Sequence, residues 1–274
     1  MLNQDGKGIV YLVGAGPGDP GLLTLKGWQC LEAAEVVVYD RLLSESLLDY
    51  APDNAVKVDV GKIPGQHQVT QEAINRLLVD YGQAGKRVVR LKGGDPFLFG
   101  RGGEEALALV EAGVAFEIVP GVTSAIAVPA YAGIPVTHRG SAVGVTIITG
   151  HEMEGKDKAG VDWAAIGNSG DNTLVILMGI SNLKLIVAQL LQHGFDPSTP
   201  AAVIENGTTS RQRIVRDVLS GLVQLAEVTG CEAPAVIVVG RVVELQPKLK
   251  WQPGKLPLCG KKVLITRPLE QSEP

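Results

Sequence analysis

Asp40 and Lys62 are the residues whose chemistry and placement first suggest a reaction. Asp40 closes EVVVYD, residues 35–40, and Lys62 follows the run at residues 55–60; both runs read as short strands. Strand ends in a parallel sheet share one edge, so the two side chains can face one crevice. There the carboxylate can act as a base and the ammonium as a proton donor. Read blandly, the same residues are a surface ion pair worth little. A second stretch, LKGGDPFLFGRGG at residues 91–103, packs five glycines, Asp95, Pro96 and two phenylalanines behind a strand at residues 87–91. Glycine lets a backbone approach a ligand, and an acid at a strand's carboxyl end stands where open α/β sheets place ligands. The stretch reads as one wall of a small-molecule site, or, more plainly, as a tight strand-to-helix corner. Glu104 and Glu105 are expected to open the next helix, where negative charge suits the positive end of the dipole.

The corner GAGPG at residues 14–18 invites a dinucleotide, with Asp40 in the place of a ribose-binding acid. Three features oppose that reading. The third glycine is mis-spaced for GxGxxG, Pro17 lacks an N–H, and Asp19 adds negative charge where a pyrophosphate would lie. A ligand without phosphate fits better, and a nicotinamide cofactor stands second. Lys92, Arg101, His138, Arg139, Arg211 and Arg213 lie near glycine-rich loops. Together they can recognise a polycarboxylate; singly, each reads as a solvated charge. His151 and His193 read as a loop residue and a cap. No HxH, HxxxH or HExxH occurs, so no metal site is expected, and neither GxSxG nor GxxxxGK[ST] is present.

The elements that must position these groups are legible as alternating runs. The chain has 274 residues, 45% hydrophobic and 20% charged, which suits a folded protein of two ordinary domains. Its net charge of −4 argues against a nucleic-acid partner. Cys30, Cys231 and Cys259 lie far apart, without CxxC spacing, so a reducing compartment fits. No apolar run reaches the roughly 18 residues of a membrane helix, and MLNQDGKG is no signal peptide, so the expected place is the cytoplasm. Strands are expected at residues 8–13, 35–40, 55–60, 87–91 and 116–119. Helices are expected at 22–35, with Leu25, Trp28, Leu31 and Ala34 inward and Thr24 as cap, at 69–81, and from Glu104 through 112. This alternation predicts a largely parallel sheet covered on both faces.

Residues 122–132 predict a small-residue helix, and GIPVTHRG at 133–140 breaks the pattern. The domain division is placed there: 1–136, then 137–246. Strands follow at 144–150, 173–178 and 200–205, with helices at 182–191 and 222–228. Residues 211–219 alternate polar and apolar, as a half-exposed antiparallel strand does. Residues 234–245 read as a strand or strand pair. Pro247, Pro253, Gly254 and Pro257 mark a linker, and KKVLITR at 261–267 reads as the first strand of a further domain, or as a tail pairing with a sheet edge. Residues 247–274 are assigned to that linker and truncated domain.

The segments VGAGPGDPGLLTLKG, VVVYDRLL, VGK, VRLKGGDPFLFGRGGEE, PGVTSAIAVPAYAGIPVTHRG, TGH, MG, ENGTT and PAVIVVGRVV resemble the uroporphyrinogen-III C-methyltransferases, in order, from residue 8 to 245. GKKVLITRP is similar to the start of uroporphyrinogen-III synthase, which implies a fused parent. The resemblance implies the tetrapyrrole methylase fold, two α/β domains with the cofactor in the cleft between them, and a homodimer. The implied reaction carries two methyl groups from S-adenosylmethionine to uroporphyrinogen III, giving precorrin-1 and then precorrin-2 for sirohaem or cobalamin, with S-adenosylhomocysteine as by-product. The family's cofactor contacts fall on Pro17, Gly93, Gly94, Asp95, Leu98, Thr123, Ser124, Met178 and Gly207. Its proton acceptor falls on Asp40 and its proton donor on Lys62. The eight carboxylates of uroporphyrinogen III give Arg101, His138, Arg139 and Arg213 a reason to line the cleft. Ile63 stands where the family often has arginine. A third possibility is a module that binds the tetrapyrrole without transferring a methyl group.

Overall fold

Apolar, β-branched runs separated by helical ones build two sheets. The computed structural model describes residues 8–40, 44–61, 69–151, 160–167 and 171–251. Lys62, Ile63, Cys259 and the strand expected at 261–267 lie outside these. The first sheet holds β1 (Ile9–Gly14), β2 (Val36–Tyr39), β3 (Val56–Asp59), β4 (Arg87–Lys92) and β5 (Ala115–Val119). Its order is β3-β2-β4-β1-β5, and every pairing is parallel. Helices α2 (Gln71–Gln83) and α3 (Gly102–Glu111) cover one face through Ile74, Leu78, Ala106 and Leu109. Helix α1 (Leu25–Glu32) and a 3-10 turn at Glu45–Tyr50 cover the other through Leu31 and Leu47.

Thr24 caps α1 as expected, its hydroxyl accepting from the Gly27 N–H. The buried face of α1 differs from expectation. Gly27 and Leu31 turn inward, while Leu25 is 78% exposed and Trp28 lies at the rim. The cause is a close approach: a side chain at Gly27 would press on Val13 and Leu23, so the helix rests on β1 at its glycine.

The second sheet holds β6 (Gly144–Thr149), β7 (Asn172–Leu177), β8 (Pro200–Glu205), β9 (Arg213–Val218) and β10 (Ala235–Val239), in the order β6-β7-β10-β8-β9. Only β6 and β7 pair in parallel; β10 runs antiparallel between β7 and β8, and β9 is antiparallel to β8. Helix α4 (Ser124–Tyr131) packs on one face of this second sheet, where Ala125 and Val128 join Val175, Leu177, Ala202 and Ile204. Helices α5 (Trp163–Gly167), α6 (Leu183–Gln192) and α7 (Leu219–Val228) cover the other. Beyond β10 the expected continuation of the strand does not form. Gly240 takes φ 144°, a conformation for glycine, and Arg241–Leu245 coils into a 3-10 helix that buries Val242 and Val243. Among the described residues no helix is long and apolar enough to cross a membrane.

Candidate active site

Neighbouring strands β1 and β4 send their following helices to opposite faces: α1 to one, α3 to the other. Open α/β sheets bind ligands where such a divergence opens a crevice beyond the carboxyl ends of the strands. Here three loops meet at that edge. Gly16 and Gly94 exchange two backbone hydrogen bonds, with Gly16 N to Gly94 O at 3.2 Å and Gly94 N to Gly16 O at 2.8 Å. The third loop, after β5, is tied in by Asp95. Its Oδ2 accepts from Gly121 N at 3.0 Å, and its Oδ1 accepts from Phe97 N at 2.8 Å and Leu98 N at 3.2 Å. A Cβ on Gly14 would lie 2.5 Å from Gly121 Cα and 2.6 Å from Gly94 O, so the corner closes only with glycine. Gly94 sits at φ 67°, and a Cβ there would stand 3.7 Å from the backbone N of Ser124. The glycine stretch therefore faces the start of α4, where Thr123 is the N-cap and its hydroxyl accepts from Ala125 N.

The second sheet supplies the opposite side. Strands β7 and β8 both run antiparallel to β10, so their carboxyl ends share one edge. In register, Leu177 faces Val236 and Glu205 faces Ala235. Met178 and Asn206-Gly207 thus leave the sheet one strand apart. Met178 is half exposed at φ 55°, and Asn206 and Thr208 are also left-handed, at 49° and 64°. Non-glycine residues in that region are costly, most of all a β-branched one such as Thr208, and they collect at functional loops. A side chain on Gly207 would run into Val128 of α4. Thr208 Oγ1 accepts from Asp19 N at 3.2 Å, and Asp19 Oδ2 accepts from the Tyr131 hydroxyl at 2.8 Å. These contacts bring the Pro17 corner and the Gly207 turn together across α4. The Tyr131 phenol is pushed up to about 12 by its burial and by the Asp19 carboxylate. Leu98 packs into the cluster that α4 shares with the second sheet.

Of the expected cofactor contacts, Pro17, Gly94, Asp95, Leu98, Thr123, Ser124 and Gly207 lie on loops joined by these contacts. Gly93 is exposed beside Gly94. Met178 reaches the same edge of the second sheet from β7.

Asp40 leaves β2 beside β4. Tyr39 pairs with Leu91, and Gly14 of β1 pairs with Lys92, so Asp40, Lys92 and Gly14 stand level. Two strand spacings separate Asp40 from the glycine corner, about 10 Å. The carboxylate lines a cavity of about 350 Å³ with Tyr39, Ser44, Glu45, Leu48, Asp49, Lys57 and Asp59. Behind it lies a cluster that sequence reading missed. Arg90 is 2% exposed, and its Nη2 donates to Asp40 Oδ1 at 2.8 Å. Its Nε donates to Glu105 Oε1 at 3.0 Å, and Lys92 Nζ donates to the same oxygen at 2.8 Å. Burial opposes the Arg90 charge, but Glu105 and Asp40 more than offset it and raise its pKa. Burial, then the Arg90 charge, lowers the pKa of Lys92 despite Glu105.

One expectation is corrected here. Lys92 is not a solvated charge open to a polycarboxylate but is buried and paired with Glu105, which stands in the first turn of α3 as expected and is itself fully buried. The signal was available, because a charged residue inside an apolar strand, as in RVVRLK, stays buried only when paired.

The expected substrate residues are spread out. Arg101, itself at φ 58°, is bound by Glu104, with Nε to Oε1 at 2.8 Å and Nη2 to Oε2 at 2.6 Å. Arg213 pairs with Glu205, Nε to Oε2 at 2.7 Å, and also donates to the carbonyls of Thr229 and Gly230. His138 and Arg139 are exposed on a turn closed by the His138–Ala142 bridge. No hydrogen bond or ion pair joins these four to one another among the described residues. Nor does any group of three or more His, Cys, Asp or Glu there have the arrangement to hold a metal ion.

Residues 9–223 match the model of the tetrapyrrole (corrin/porphyrin) methylases. The chain is 54% identical over 245 residues to an S-adenosyl-L-methionine-dependent uroporphyrinogen III methyltransferase of Methanosarcina barkeri, covering 89% of this chain and 96% of that one. It is 51% identical to a siroheme synthase of Edwardsiella ictaluri, over 89% of this chain but only 52% of that longer protein. The chain therefore spans about half the length of such synthases. A solved uroporphyrin-III C-methyl transferase from Thermus thermophilus, complexed with S-adenyl homocysteine, superposes with a TM-score of 0.73 at 41% identity, covering 86% of this chain and 93% of that one. With its two α/β sheets and the glycine-lined crevice joined across α4, this chain belongs to the tetrapyrrole methylases.

Proposed function

We propose that the chain transfers methyl groups from S-adenosylmethionine to two carbons of uroporphyrinogen III, giving precorrin-2 through precorrin-1 for sirohaem or cobalamin. The observation that carries this reading is the convergence of the β1, β4 and β5 loops on the start of α4, with the Gly207 turn facing them across that helix. S-adenosylmethionine supplies an electrophilic methyl group on a sulfonium and brings no phosphate. The residues present suit it. The turn at Pro17 offers a poor phosphate nest, while the capped start of α4 favours a small carboxylate, as an amino-acid tail carries. Gly93, Gly94 and Asp95 form one wall, Thr123 and Ser124 the floor, and Leu98, Met178, Pro17 and Gly207 the apolar surround.

The nucleophile is an electron-rich pyrrole carbon, so the chain's main task is to align it. Asp40 accepts the proton that the methylated ring releases; Lys62 donates a proton to the macrocycle only as a second one leaves it, so each transfer releases one proton in net. Arg101, His138, Arg139 and Arg213 meet its carboxylates, with Arg101 and Arg213 exchanging their present carboxylate partners for substrate ones. The chain divides into a first domain at 1–136, a second at 137–246, and a linker with the start of a further domain at 247–274. The active form is a homodimer in the cytoplasm. Incubation with uroporphyrinogen III and a methyl-labelled donor, followed by mass spectrometry, tests the function. Two added methyl units are expected; binding of the macrocycle without label transfer would overturn the catalytic reading.

A further inference from the structure

Among the described residues, the buried charges behind Asp40 form a closed set. Two carboxylates, Asp40 and Glu105, meet two cations, Arg90 and Lys92, through contacts of 2.8, 3.0 and 2.8 Å. The Arg90 guanidinium is held on all three nitrogens, because Nη1 also donates to the carbonyls of Leu91 at 3.3 Å and Val38 at 3.5 Å. It cannot turn away from Asp40 without giving up the others. Glu105 is fully buried, and its support is lopsided. Oε1 takes Arg90, Lys92 and the Gln71 amide, while buried Oε2 has no hydrogen-bond partner among the described residues.

Such a set is a poor way to stabilise a fold. Ionic groups lose several kcal/mol of hydration on burial, and apolar side chains of similar volume often do as well or better. Three side chains, each at least 95% buried, are spent on one partly exposed carboxylate, Asp40. The geometry points to Arg90, Lys92 and Glu105 as positioning residues that hold the Asp40 carboxylate at the cavity edge and fix the charge behind it. This deepens the reading of Asp40 as the proton acceptor, and rests on that reading only where turnover is measured.

Other charges face the carboxylate as well. Glu45 and Asp49 do so from the 3-10 turn after β2, and Lys57 and Asp59 from β3, with Tyr39 on β2 itself. They line an open cavity, where solvent weakens their influence. The set behind Asp40 is dry and close, so its balance dominates. Glu105→Gln leaves one uncompensated positive charge there and favours the carboxylate form. Lys92→Met leaves one uncompensated negative charge and favours the acid form. The two variants must therefore move Asp40 in opposite directions.

The test is a carbon-13 titration of the aspartate carboxyl signals in the full chain, with Asp40→Asn used for assignment. Relative to the native protein, the signal is expected to move in opposite directions in the two variants, toward the carboxylate form in Glu105→Gln and toward the acid form in Lys92→Met. The double variant restores neutrality, so its midpoint returns near the native one. It also serves should one single variant fail to fold, since it leaves no charge unpaired: it must undo the displacement seen in the surviving single variant, and a displacement that persists overturns the assignment. Midpoints that stay fixed in both single variants, or move the same way in both, would also overturn it. Movement in one direction is what mere loosening and wetting of the site would produce. Turnover separates the two readings. If the midpoints shift as stated but the acid limb of kcat does not follow, the positioning set stands and the role of Asp40 as proton acceptor falls.

Discussion

Single side chains in this site differ in whether they touch a ligand or shape the surface that does. Asp95 belongs to the second kind, for both of its oxygens are occupied by backbone N–H groups from two loops. Asp95→Ala leaves three such donors without their acceptor and releases the β5 loop from the β4 loop. Unmet donors cost about 1 kcal/mol or more each, so affinity for S-adenosylmethionine should fall at least about tenfold, as read by calorimetry. An unchanged affinity would remove Asp95 from the pocket. Asp40 belongs to the first kind under the proposed function. Asp40→Ala should leave the cofactor affinity near native while kcat falls about a hundredfold, the lower range for loss of a general base. Equal losses in both measurements would place Asp40 in binding rather than in proton transfer. Asp40 and Asp95 were legible as candidates because each follows the carboxyl end of a strand, Asp40 directly and Asp95 three residues on. That Arg90 is paired was legible from its apolar strand, but its partners were not, because they lie fifteen and fifty residues away.

Among the elements, α4 is the one on which the two sheets' loops meet. Its small residues follow β5 of the first sheet, yet Ala125 and Val128 pack under the second. Small apolar composition locates such a helix but cannot say which sheet it serves, because a residue like alanine suits either. The parallel order of the first sheet, by contrast, followed from its alternation of strands and helices. The antiparallel placement of β10 between β7 and β8 depends on long-range pairing that no local pattern carries. The close seat of the Gly207 turn on α4 can be probed directly. Gly207→Ala drives a methyl group into Val128, a stiff β-branched side chain, and overpacking of this kind costs about 1–3 kcal/mol. Urea unfolding should report that loss together with weaker cofactor binding. Adding Val128→Ala makes room for the methyl group and should recover much of the binding. Failure of the second substitution to help would mean that the turn needs its glycine for some reason other than space.

At the scale of the whole molecule, Tyr131 joins three parts of the chain. Its hydroxyl donates to Asp19 in the corner after β1, its backbone closes α4, and its ring meets Trp251 edge-on with centroids 5.2 Å apart. The Trp251 indole in turn donates to the Ala130 carbonyl at 2.9 Å. The segment that leaves the second sheet is thereby fastened beside the contact of Asp19 with Thr208. Tyr131→Phe keeps the ring packing and removes only the hydroxyl, so the expected loss at neutral pH is about 1 kcal/mol, one net hydrogen bond. The pH dependence identifies the bond. The phenol titrates near its ordinary 10 in the unfolded chain but near about 12 in the folded one, because burial and the Asp19 carboxylate both resist a tyrosinate. A pKa raised on folding gives stability that is complete below 10 and is lost as the pH climbs through 12. The native protein should therefore be more stable than Tyr131→Phe at pH 8, with the gap narrowing above pH 10 and closing by about pH 11. Urea unfolding of both proteins at pH 8, 10 and 11 measures that gap. A gap that stays constant across the three would show that the hydroxyl does not hold the Asp19 corner, and that the loop contacts around Gly207 and Thr208 alone keep the two sheets in register around the crevice.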